Sequence, residues 1–143
     1  SGEKTERLLK LASLFKQANI PYQIVQDMHA WQLSHLAMVV PIADAYYMAD
    51  NPEKAGYDGK VMLYTAKQMQ RNFSALHKLG IELSPPKMNF FRLAPVSILS
   101  MGLSFVFRSK FGNMFMYQHS MKAPDEMRQL HEQFYRYIKS SLA

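Results

Sequence analysis

Residues 31–50 read WQLSHLAMVVPIADAYYMAD, and their reading decides the fold class. The stretch is apolar on almost every side at helical period, so as a helix it is buried nearly all round. Such a helix excludes titratable groups unless they have partners or a function, yet this one contains His35 and Asp44, with Pro41 between them. Asp27 is placed to cap its N-terminus. Pro41 lacks a backbone N–H and crowds the carbonyl four residues back, which predicts a bend at that point.

Working outward, the period stays helical. In EKTERLLKLASLFKQANI, residues 3–20, Leu8, Leu11, Ala12, Phe15 and Ala18 share one face while Lys4, Arg7, Lys10 and Lys16 take the other. Pro21 stops that helix, and Tyr22 to Val25 reads as a short extended link. NPEKAGYDGK, residues 51–60, has loop composition. A third helix over 60–79 aligns Met62, Ala66, Met69, Phe73 and Leu76, with Gly80 suited to the left-handed position past its end and Ile81 folding back on Leu76. Residues 89–112 are apolar on all sides and interrupted by Pro95, which reads as one or two buried helical segments. The closing helix starts at Pro124 with Asp125 and Glu126 in its first turn, and puts Met127, Leu130, Phe134, Tyr137 and Ile138 on one face.

The expected class is therefore all-α, a compact multi-helix domain. With 143 residues, 48% of them hydrophobic, the chain has material for one core. Ser1-Gly2 reads as a tag remnant and 3–143 as a single helical domain. No cysteine is present, which excludes disulfides and thiolate chemistry and suits a cytoplasmic setting. Strands lack support and the six glycines form neither G-x-G-x-x-G nor a phosphate loop, so no dinucleotide is held by this domain itself. The longest apolar run, 94–107, falls short of the roughly 20 residues that cross a bilayer, so no membrane partner is expected. A net charge of +6 raises nucleic acid as a partner. Against it, the bases read as spread along the chain and interleaved with acids, without a recognition motif.

ANIPYQIVQDMHAW at 18–31, PIADAYY at 41–47, and a closing segment with His119, APDEM at 123–127, Leu130 and Phe134 carry a resemblance that covers nearly the whole chain. In this order they resemble the C-terminal helical domain of the ketopantoate reductase (2-dehydropantoate 2-reductase) family, in a divergent branch. The resemblance implies a fold like the C-terminal domain of 6-phosphogluconate dehydrogenase, and an N-terminal Rossmann domain of the same protein that binds NADP(H). It also implies a small keto-acid-like ligand, and a homodimer. The family's helix carries Trp-x-Lys with an asparagine four residues on; set on Trp31, those positions are Leu33 and Ala37, which donate neither proton nor side-chain hydrogen bond. This departure puts the family's reduction in doubt, and no catalytic residue is assigned.

In a straight helix Asp44 lies within about 20° of Leu33, while His35 points roughly 160° to 200° away, beside Trp31. Asp44, Trp31 and His35 are thus the candidate substrate-binding residues, although an apolar-face histidine is more often a core residue, and Asp44 has an alternative role as a cap or tyrosine acceptor. His77, His119 and His131 lie in separate segments without metal-ligand spacing, so no metal site is expected. Residues 107–122 mix aromatics, methionines and bases, as suits a surface for a partner domain or a second copy. Two functions stay open. One is the substrate and dimerisation domain of an oxidoreductase, inactive alone; the other is a helical ligand-binding or interaction module that kept the fold. A gene opening on a strand and G-x-G-x-x-G favours the first, and a natural start near residue 3 the second.

Overall fold

Asp27 accepts a hydrogen bond from the Ala30 N–H at 3.0 Å and starts a 21-residue helix that runs from Met28 to Met48 through Pro41. This is α2 in the computed structural model, which describes residues 4–142. The expected tag remnant at Ser1-Gly2 and the outermost residues of the expected 3–143 domain lie outside the described residues. Before α2 comes α1 (Glu6–Gln17), capped by Thr5. After it come a tight 3-10 turn at Pro52–Tyr57, α3 (Gly59–Lys78), α4 (Asn89–Leu93), α5 (Val96–Phe107), a wide π turn at Gly112–Tyr117, α6 (Gln118–Lys122) and α7 (Pro124–Leu142). Among the described residues there is no strand, so Tyr22 to Val25 is plain extended chain and the fold is all-α. The expected loop at 51–60 contains the 3-10 turn and the first residues of α3.

α3 is the central rod, and its sequence shows why. Its predicted stripe, Met62, Ala66, Met69, Phe73 and Leu76, is at most 1% exposed, with α2 and α5 packed along it. Gly80 closes the helix at φ 73°, and the Ile81 N–H donates back to the Leu76 carbonyl at 3.1 Å, as the stop signal predicts. α7 lies on α2 and buries Met127 and Phe134.

Pro41 meets a specific answer. Its missing N–H leaves the carbonyl of Ala37 without its helical donor, inside a core where Ala37 is fully buried. Asn72 of α3, itself buried, supplies the replacement: its Nδ2 lies 3.3 Å from that carbonyl and 3.3 Å from the Tyr135 hydroxyl. The proline and the asparagine are complementary parts of one α2–α3 contact.

The apolar run at 89–107 divides at Pro95, as expected, and the two pieces are bent by 116°. Gln70 of α3 holds the bend through the carbonyls of Arg92 and Ala94. Its burial corrects the sequence reading. Leu99, Leu103 and Phe107 of α5 are buried in the core and Val96 packs partly against it, while Met101 and Phe105 are 68% and 73% exposed. Hydrophobicity on all sides of a helix permits full burial without supplying the neighbours that would cover it. α1 is similarly open: Ala12 is buried, Leu8 and Phe15 partly, and Leu9, Leu11 and Leu14 face solvent. Among the described residues no single helix is long and apolar enough to cross a membrane.

Candidate functional site

On α2 the three candidate residues separate into two places. Trp31 and His35, one turn apart, stack face to face with ring centroids 5.2 Å apart and an interplanar angle of 5°. His35 stands on the surface, which corrects the reading of it as a core residue. Cover by its surroundings lowers its pKa below the ordinary 6.5, and the nearby His119 lowers it further. Asp44 lies nine residues further along, some 13 Å up the helix axis at the standard rise. Leu33 and Ala37 face no cleft at all: they are 7% and 0% exposed and sit in the core. Ser34 is buried too, its hydroxyl accepting the Ser84 N–H at 3.0 Å.

Asp44 has a partner that sequence reading did not supply. His131 of α7 brings its Nδ1 to 3.0 and 2.9 Å from the two carboxylate oxygens, across 87 residues of chain. The side chains remain 25% and 42% exposed, so the pair sits at the wall of a cleft and not inside the core. Two effects compete at Asp44. Burial raises its pKa, and the charge and hydrogen bond of His131 lower it; burial is the larger, and the net direction is upward from 3.8. With Nδ1–H donating to the carboxylate, Nε2 is the ring nitrogen left for a ligand.

Tyr47, Pro124 and Arg128 complete the lining of this cleft, whose volume is about 250 Å3. Tyr47 is fixed by donating its hydroxyl to the Ser120 carbonyl at 2.6 Å, so the acceptor role for Asp44 toward that tyrosine is not used. Burial raises the Tyr47 pKa, and the Asp44 carboxylate adds to the rise. The Arg128 guanidinium has one exposed companion, Asp125, at 3.3 Å. Behind the pair, the Tyr135 ring packs edge-on against His131 with centroids 4.6 Å apart and carries the contact through to Asn72. The cleft thus combines an oriented imidazole, a carboxylate and a guanidinium, a set suited to a small anion that exchanges a proton.

A larger concavity of about 810 Å3 lies between the end of α2 and the start of α3. It is an open trough, and its Asp58 is already occupied by the N–H groups of Lys60 and Val61. The Asp44–His131 cleft is the stronger candidate for that reason. Among the described residues no three His, Asp or Glu side chains are grouped to hold a metal ion. The one signal in sequence for His131 was indirect: a carboxylate on an apolar helix needs a cationic or donor partner, but the partner's place in the chain follows from how α7 docks on α2. Compared with family models, with characterised proteins and with solved structures, this chain finds no match.

Proposed function

We propose that this chain is the substrate-binding and dimerisation domain of a ketopantoate-reductase-like, NADP(H)-dependent oxidoreductase, of the 6-phosphogluconate dehydrogenase C-terminal-domain type, and that it meets a small 2-keto acid at the Asp44–His131 cleft. One observation carries this reading: a carboxylate-oriented imidazole and a guanidinium line the same small cleft. Arg128 suits the carboxylate of a keto acid, and His131 as the imidazolium, with Nδ1–H on Asp44, can give its Nε2 proton to the keto oxygen as hydride arrives, which leaves the neutral imidazole. A nicotinamide held by a neighbouring Rossmann domain would supply the hydride, so in this reading the isolated domain carries out no reduction. Leu33 and Ala37, where the family displays lysine and asparagine, play no part in this chemistry. The open leucines of α1, Leu9, Leu11 and Leu14, are the surface we assign to the neighbouring domain or to a second copy.

Titration of the isotope-labelled chain with ketopantoate tests the ligand. We expect amide shifts centred on Arg128 and His131 with millimolar affinity, about −4 kcal/mol, and their loss in Arg128→Ala. Absence of any shift at about 20 mM ligand overturns the assignment. The burial of Leu33 and Ala37 favours a second reading, a helical binding module without chemistry. Keto-acid binding by the chain, with no NADPH oxidation by the full-length protein, supports that module instead.

A further inference from the structure

Charge and exposed hydrocarbon coincide in one stretch of this chain. Residues 83–124 contain Lys87, Arg92, Arg108, Lys110 and Lys122 and not one aspartate or glutamate. The rest of the chain, with twelve bases and eleven acids, is close to neutral, so nearly all of the +6 net charge resides here. This corrects the expectation of bases interleaved with acids, which holds only outside this stretch. The same stretch carries a cluster of strongly exposed apolar side chains: Leu93, Met101, Phe105, Phe111 and Phe115 are between 59% and 73% exposed. On α5, Ile98, Met101 and Phe105 fall within an arc of about 60°. The opposite face, Leu99, Leu103 and Phe107, is locked against the core, so the stripe has a rigid backing.

We propose that the exposed apolar stripe of α5, in this acid-free stretch of chain, docks on the surface of an anionic lipid bilayer, with the stripe at the boundary of head groups and acyl chains and the stretch's arginines and lysines near the phosphates. Three features favour lipid over other occupants. A second copy docked through the same stripe would bring two base-rich stretches, each with five bases and no acid of its own, toward each other, and like charges repel. The exposed stripe of α5 is hydrocarbon and thioether with charge only at its rim, which is the composition of an interfacial helix rather than of a face that reads a specific protein. Its backbone is helical, so its N–H and C=O groups stay paired when water is displaced. The helix is too short to cross, but length limits spanning and says nothing against lying on the surface. The expectation of no membrane partner rested on length alone.

Vesicle sedimentation of the whole chain tests this. Vesicles of phosphatidylcholine with about 30 mol% phosphatidylglycerol should bind it at least tenfold more tightly than phosphatidylcholine alone, and binding should fall as salt rises from roughly 0.05 to 0.5 M. Met101→Asp with Phe105→Asp should reduce binding by about tenfold or more. Both positions are exposed, so thermal melting of that variant should match the parent and separate lost docking from lost folding. In Phe105→Trp, the added indole emission should shift to the blue with anionic vesicles. A chain that stays in solution with anionic vesicles, or that binds them equally well with both aspartates, overturns the proposal. So does a solution mass that doubles through Met101 and Phe105, or saturable binding of an acidic protein there without lipid binding.

Discussion

Asp44 is a carboxyl on a helix otherwise built for burial, and its environment sets two opposed effects against each other. Burial favours the neutral acid, His131 favours the carboxylate, and the first is larger. The folded-state pKa therefore lies above the unfolded value, and the native state holds its proton more tightly than the unfolded chain does. Stability from this residue is fully present below 3.8 and is lost as pH rises through the raised folded value. Asn cannot titrate, so in denaturant melts across that window the wild type should lose stability relative to Asp44→Asn as pH increases. A wild type that gains relative to the variant would show that the attraction to His131 exceeds the cost of burial. The spacing of residues made Asp44 conspicuous because a lone carboxylate among alanines and valines needs an explanation. It left His131 indistinct, because a histidine on an amphipathic helix looks the same whether it faces water or a carboxylate 87 residues away.

At the scale of elements, Pro41 and Asn72 illustrate how one helix repairs another. A proline in a helix interior normally costs about 3 kcal/mol, partly through the carbonyl it orphans. Here the Ala37 carbonyl is served by Asn72 from α3. Removing Asn72 as Asn72→Ala should cost about 1 to 3 kcal/mol, the usual range for a buried acceptor left unpaired. In a Pro41→Ala background the new backbone N–H at position 41 can serve Ala37, so the same substitution should cost about 1 kcal/mol less. Urea melts of the four proteins close that cycle, and additivity would show that the two residues are not coupled. The proline was legible as an interruption in an apolar helix. Its partner was not, since an asparagine in the middle of α3 could as well have faced solvent.

For the whole molecule, the join between the 3-10 turn, α5 and the π turn depends on close backbone approach. Any Cβ at Gly56 would stand 2.7 Å from the Cβ of Phe107, whose ring stacks with Tyr46 at 4.7 Å, and 3.0 Å from the Arg108 Cγ. Gly112 is likewise pressed against the backbone of Val106 and Phe107. Gly56→Ala should therefore lower stability by about 1 to 3 kcal/mol, the range for overpacking a filled site. Gly59→Ala, with nothing within 4 Å of its Cβ, should be neutral or slightly stabilising in the same thermal melt. Equal effects at the two glycines would mean that α5 and the turn yield to each other.

The sequence by itself determined the helical class, the α3 stripe with its Gly80 stop, the break at Pro95 and the start of α7 at Pro124. Each depends on period, capping chemistry or proline geometry, all of which act within a few residues. Only tertiary structure decided which apolar side of α5 is covered, that Leu33 and Ala37 are sealed in the core, that His35 lies on the surface against Trp31, and that His131 meets Asp44. Those outcomes depend on how elements far apart in the chain are apposed, and neighbouring helices, not a residue's own segment, supply the partners and the cover that set burial and charge.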